Sequence, residues 1–140
     1  MCDDSGKVLL SAWGRIGKCS SPMVAEALAC LKGTKAIISE VHLPVQIEPD
    51  CARLVAELTA KDSTKSEILF IVPDANHLLN SLQDWRISKV NRTGNQAAHA
   101  LASFSRKSGS DGVLLGMVPT CVEDIVLFDC NEPCNPNTLI

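Results

Sequence analysis

The feature that most constrains the fold is one helix–strand–helix run in the first half of the chain. From Pro22 to about Ile38 apolar residues recur at helical spacing, with Val24, Ala27, Leu28, Leu31 and Ile38 on one stripe. Ser20 or Ser21 is placed to cap this helix, and Pro22 suits its first position. Leu43–Glu48 then alternates, so Val45 and Ile47 point one way and Gln46 and Glu48 the other. Pro49 cannot donate to a strand ladder and ends the strand. Asp50 is expected to cap a helix over Cys51–Leu58. A strand that runs straight into a helix, after a preceding helix, predicts a crossover and a parallel pairing.

The rest of the chain is read around that unit. Asp3-Asp4-Ser5-Gly6 is a turn signal, and Val8–Trp13 a short strand at a sheet edge or in a hairpin. Lys61–Lys65 reads as a loop. Ile68 to Leu82 carries a helical stripe that breaks or restarts at Pro73. Trp85–Val90 is a strand, Asn91–Gly94 a turn, and Asn95 the cap of a helix to about Phe104 with Ala98, Leu101 and Ala102 inward. Gly109–Pro119 reads as loose, Val122–Phe128 as a short helix, and the last residues as a frayed tail.

The 140 residues suit one domain, and 46% apolar with 21% charged residues is ordinary for a globular chain. No segment approaches the ~18 apolar residues of a membrane helix. The N-terminus reads neither as a secretory signal nor as a transit peptide, so an intracellular, reducing compartment and no membrane are expected. Seven cysteines without regular spacing fit reduced thiols there. The net charge of −3 argues against broad polyanion binding. Its distribution says more. Trp85–Ser110 carries Arg86, Lys89, Arg92, Arg106 and Lys107 with no acid, whereas Asp111–Ile140 is acidic with no Lys or Arg. Such a basic segment can hold phosphate locally, although a solvated face explains it equally well.

Three segments, "AEALACLKGTKA", "VQIEPDCARLVAEL" and "ISKVNRTGNQAAHALA", resemble the ribonuclease H fold in its plant reverse-transcriptase-like, retroelement-type branch. The resemblance covers residues 1–104, with 105–140 left as a C-terminal extension. It implies a mixed five-stranded sheet of order 3-2-1-4-5 flanked by helices. It also implies cleavage of RNA in RNA–DNA hybrids by two Mg²⁺ ions held on four acids. Two metals about 4 Å apart would clamp the attacking water and the leaving oxygen, and Mg²⁺ asks for oxygen ligands.

Carried over by motif, Glu26 stands at the helix acid of an A-E-A-x-A pattern. Asp50 stands at the acid after the fourth strand, in E-P-D-C. The last acid of N-x-x-A-D is replaced, because Asn95-Gln96-Ala97-Ala98 leads to His99. Imidazole is a poor Mg²⁺ ligand, and a protonated one repels cations. Glu26, Asp50 and His99 are therefore the candidate catalytic positions, Glu26 and Asp50 the candidate metal ligands. Arg86, Lys89, Arg92 and Asn95 are the candidate nucleic-acid contacts.

Strand 1, with its acid, and most of strand 2 have no counterpart, since Asp3 and Asp4 belong to a turn. The resemblance thus implies an impaired enzyme, with a non-catalytic nucleic-acid-binding module or a decayed retroelement remnant as alternatives. A sheet lacking its central strand has an open edge. It is expected to be marginal alone, to bring strand 3 beside strand 4, or to pair with a partner chain.

Overall fold

The computed structural model describes residues 1–40, 42–60 and 67–131. In chain order its elements are β1 (Leu10–Trp13), α1 (Pro22–Glu40), β2 (Val45–Ile47), α2 (Ala52–Thr59), α3 (Val72–Leu79), β3 (Trp85–Ile87), α4 (Gln96–Ser108), β4 (Gly112–Leu115) and α5 (Glu123–Asn131). The fold is mixed α/β. Its strands form two separate two-stranded sheets, β1 with β4 and β2 with β3. The chain divides into two units, Ile16–Val90 and a second made of Met1–Arg15 with Asn91–Ile140.

The unit Ile16–Val90 is built on the helix–strand–helix run. The Ser21 hydroxyl accepts the Val24 amide at 3.3 Å, which caps α1 as expected. The buried face of α1 is Met23, Ala27, Leu31 and Thr34, so Ala27 and Leu31 of the predicted stripe are buried while Val24, Leu28 and Ile38 are only half-buried. β2 and β3 pair in parallel, Val45 with Trp85, Gln46 with Arg86 and Ile47 with Ile87. The ladder continues past the strand ends, because Val90 N–H donates to the Pro49 carbonyl at 3.1 Å. Alternation holds across this pair. Val45 is buried, Ile47, Trp85 and Ile87 pack on the core, and Gln46 Nε2 donates to Glu48 Oε1 and Ser88 Oγ on the polar side. α3 restarts after a turn with Pro73 in its first residues.

One core fills this unit: Met23, Ala27 and Leu31 of α1, Leu54 and Leu58 of α2, Ile68, and Val72, Ala75 and Leu79 of α3. Burying a side chain of this size contributes about 1.5–3 kcal/mol. The crossover is thus held by its apolar stripes rather than by its caps. The capping expectation for α2 fails: the N-cap position falls on Cys51, one residue later, and its side chain makes no capping bond. The predicted loop Lys61–Lys65 lies outside the described residues.

In the second unit, Asp3 Oδ1 accepts the Ser5 hydroxyl and the Ser5 and Lys7 amides, closing the predicted turn. The Ser5 hydroxyl bond, then the Lys7 amide, hold its carboxyl below the ordinary carboxylate range. Cys2 bridges Val8 in antiparallel fashion across that turn. β1 does not pair with β2. Its partner is β4, in a segment the sequence reading left as loose. Ser11 Oγ seals the pair by donating to the Met117 carbonyl at 2.7 Å. Trp13 meets Phe104 of α4 edge to face, ring centroids 5.3 Å apart.

α4 starts after Asn95, whose side chain makes no capping bond, and ends on Gly109 in the left-handed region at φ 66°. Its inner face is Ala97, Ala100 and Leu101, packed around Cys2, Val122 and Val126. Ala98 and Ala102 are exposed, contrary to expectation. The short α5 helix forms where one was expected.

Candidate functional site

Glu26 lies in the first two turns of α1, next to the fully buried Ala27 and one turn from Met23. That position off the centre of the buried face takes its side chain partly into the protein. Its Oε2 is buried and, among the described residues, has no hydrogen-bond partner. An orphaned buried acceptor costs about 1–3 kcal/mol, more if charged, so its presence needs a reason. One turn further on, burial pushes the Cys30 thiol above its ordinary value, partly offset by a hydrogen bond with Thr34.

Asp50 follows the last ladder bond of the parallel pair, half-buried between Pro49 and Cys51. The end of a parallel strand leading into a helix is where α/β folds carry ligand-binding groups. Its neighbours Ile47 and Cys51 pack on the same core as Met23 and Ala27 beside Glu26. Both carboxylates are therefore carried by elements rooted in one packed interior.

The other sequence-predicted positions are exposed to different degrees. Arg86 and Lys89 are exposed, Arg86 on the strand β3 and Lys89 just beyond it. In the other unit, Arg92 is exposed in a 3-10 turn, Asn95 is half-buried at the start of α4, and His99 is exposed on α4. Trp85 packs against the core of its unit, which fits a strand-core residue better than a stacking platform for bases.

Two features escaped the sequence reading. Asn76 Oδ1 is a second buried acceptor without a partner among the described residues. It stands beside Ala75 on α3, one step off the apolar stripe, and nothing but that adjacency could have signalled it. Cys2 is held in a disulfide, against the expectation of reduced thiols throughout, whereas Cys19, Cys30, Cys51 and Cys121 are free.

A family model for reverse transcriptase-like domains matches residues 1–105. The chain belongs to the reverse transcriptase-like family. The match spans the segments carrying Glu26, Asp50 and His99 and ends within α4. No curated protein and no solved structure matches the chain. The reverse transcriptase-like domain is of the ribonuclease H-like kind, a nucleic-acid-related family that generally uses Mg²⁺.

The donor set tests that cation. The unpartnered Oε2 of Glu26 suits a cation or a donor, and a hard oxygen fits Mg²⁺. Among the described residues, however, no group of three or more His, Cys, Asp or Glu side chains gathers as a metal site. Two carboxylates can anchor one hydrated Mg²⁺ ion. By themselves they do not supply a two-metal clamp. Among the described residues, no helix is long and apolar enough to cross a membrane.

Proposed function

We propose that this chain is a ribonuclease H-type nucleic-acid-binding domain, of the plant retroelement-like branch, whose hydrolysis of RNA–DNA hybrids is impaired. The observation that carries the reading is the buried, unpartnered Oε2 of Glu26 at the family's helix-acid position. A fold that only packs has no use for that oxygen, because an apolar residue there removes its cost. Glu26 and Asp50 would hold one Mg²⁺, which when bound supplies charge neutralisation beside a phosphate. His99, where the family resemblance expects an acid, supplies no hard oxygen ligand. Exposed Arg86, Lys89 and Arg92, with Asn95, would contact the phosphates.

On this reading β1, β2 and β3 are the family's third, fourth and fifth strands. Residues 1–104 are the domain, and 105–140 an extension that adds β4 to β1. The parallel pairing of β2 with β3, joined through α2 and α3, supports that assignment. On this reading a partner chain would add a strand to β2, which among the described residues is laddered with β3.

Binding of an RNA–DNA hybrid, measured against salt, tests the reading together with cleavage in Mg²⁺ and Mn²⁺. Salt-dependent binding weakened by Arg86→Ala and Arg92→Ala, with little cleavage, is expected. Robust cleavage abolished by Glu26→Gln or Asp50→Asn would replace the impaired reading with an active one. Absence of hybrid binding at low salt would remove the nucleic-acid reading and leave a decayed remnant.

A further inference from the structure

β4 has one edge in use. Gly116 N–H donates to the Leu9 carbonyl at 2.9 Å, and the register from Leu10–Leu115 to Trp13–Gly112 carries that ladder along the strand. Backbone groups alternate between the two edges of an antiparallel strand, so Gly112, Leu114 and Gly116 turn theirs to β1 while Val113 and Leu115 turn theirs away. Among the described residues, no strand pairs with that outer edge. The side chains along it are apolar and exposed, Val113 by 53%, Leu115 by 56% and Met117 by 60%. Edge strands are commonly guarded by a charge or a proline, and Gly112–Met117 contains neither. The far edge of β1, by contrast, is occupied at Leu10, whose carbonyl accepts the Met1 amino group at 2.8 Å.

Charge separates along the direction of β4. The strand follows α4 through Gly109, so the exposed Arg106 and Lys107 stand before its first residue. The exposed Glu123 and Asp124, in the first turn of α5, stand after its last. Val122 beside them belongs to the cluster on which Ala97 and Ala100 pack, in the first half of α4, away from Arg106 and Lys107. One end of β4 is basic and the other acidic.

We propose that β4 is a self-pairing edge, through which two copies of this chain join in antiparallel fashion about a two-fold axis at Leu114. Val113 of each copy exchanges backbone hydrogen bonds with Leu115 of the other, using the groups that face away from β1. Their exposed side chains become cross-strand neighbours. Antiparallel pairing sets the basic end of each strand against the acidic end of its partner, whereas parallel pairing sets like charge on like. The contact also closes on itself. The joined sheet has the order β1-β4-β4-β1, and its outer edges are the ones Met1 occupies at Leu10, so assembly stops at two copies. So short a pair belongs with weak interfaces, below about 1,200 Å² of buried surface. None of this depends on the proposed function.

Sedimentation velocity on the full chain should show monomer passing to dimer with a Kd on the order of 10 μM. A monomer throughout a range of about 1 to about 300 μM, chosen to bracket that value, overturns the proposal, and so does open-ended growth beyond the dimer. Val113→Lys and Leu115→Lys, at exposed positions, should each weaken dimerisation by about tenfold or more. Arg106→Glu with Lys107→Glu should weaken it about tenfold, as should Glu123→Lys with Asp124→Lys, and all four changes together should bring it back to within about threefold of wild type. Charge swaps without effect, or without mutual rescue, overturn the antiparallel arrangement. Amide hydrogen exchange on the wild-type chain should show Val113 and Leu115 gaining protection as concentration rises. A dimer that forms while those two amides exchange unchanged overturns the proposal even if every variant fails to fold.

Discussion

Trp13 and Gly112 face each other across the antiparallel β1–β4 pair, and a Cβ built on Gly112 would lie 2.5 Å from Trp13 Cζ2. The indole is fixed on its other sides. Its ring meets Phe104 edge to face, and its Nε1 donates to Ser110 Oγ at 3.3 Å. The glycine is therefore a condition for the sheet, since any side chain there must displace an aromatic ring held by two neighbours.

Gly112→Ala should destabilise the protein by about 1–3 kcal/mol, the usual cost of overpacking. Urea denaturation followed by tryptophan fluorescence reports this, because Trp13 senses the pair directly. A variant with an unchanged midpoint would show that the ring moves aside freely.

Asn76→Leu should be neutral or stabilising, by about 1 kcal/mol. The substitution removes a buried acceptor that has no partner and leaves apolar volume beside Ala75. A loss of more than 1 kcal/mol in the denaturation midpoint, with that threshold taken from the typical worth of one hydrogen bond, would mean that Asn76 Oδ1 is satisfied in solution.

Leu54 is 1% exposed in the middle of the main core. Leu54→Ala should cost about 2–5 kcal/mol, by lost transfer energy and the cavity left behind. Such a loss is enough to unfold a marginal domain. Circular dichroism at rising temperature would register it as a large drop in Tm.

Cys30 makes stability fall at alkaline pH. Burial raises its thiol's pKa in the folded protein, so the native state keeps a proton that the unfolded chain releases. Its contribution is fully present below the ordinary thiol value, about 8.5, and is lost as pH rises from there through the raised folded value. Denaturation midpoints at pH 8 and pH 10, the higher value chosen as about 1.5 units above the ordinary thiol pKa, should differ less in Cys30→Ala than in wild type. Alkylation at pH 8 should also label exposed Cys121 before Cys30.

His99→Asp changes an exposed helix position, so stability should move by no more than about 0.5 kcal/mol. On the proposed reading it puts a carboxylate where the family resemblance expects one. Hybrid cleavage in Mg²⁺ should rise above that of the wild-type chain. No change in cleavage would mean that position 99 does not limit the chemistry.

Much of the architecture is local, and so it was legible along the chain. Ser21 before Pro22, the alternation of Val45 to Glu48, and Pro73 at a helix start each act through a few neighbouring residues, and each does in the fold what its spacing implied. The two acids stood out in the same way, Glu26 as a carboxylate in an apolar run and Asp50 as one at a strand's end.

What the chain alone determined is therefore its list of helices, the parallel crossover joining β2 to β3, and its membership of the family. Tertiary structure alone decided the partner of β1, the burial of Met23 and Thr34 on α1, and the inward turn of Ala97 and Ala100. It also decided the burial of one Glu26 oxygen. The reason is range. Periodicity and caps are set within one or two turns, whereas β4 becomes a strand only because β1, some hundred residues away, offers it a ladder and a place for Trp13 over a glycine.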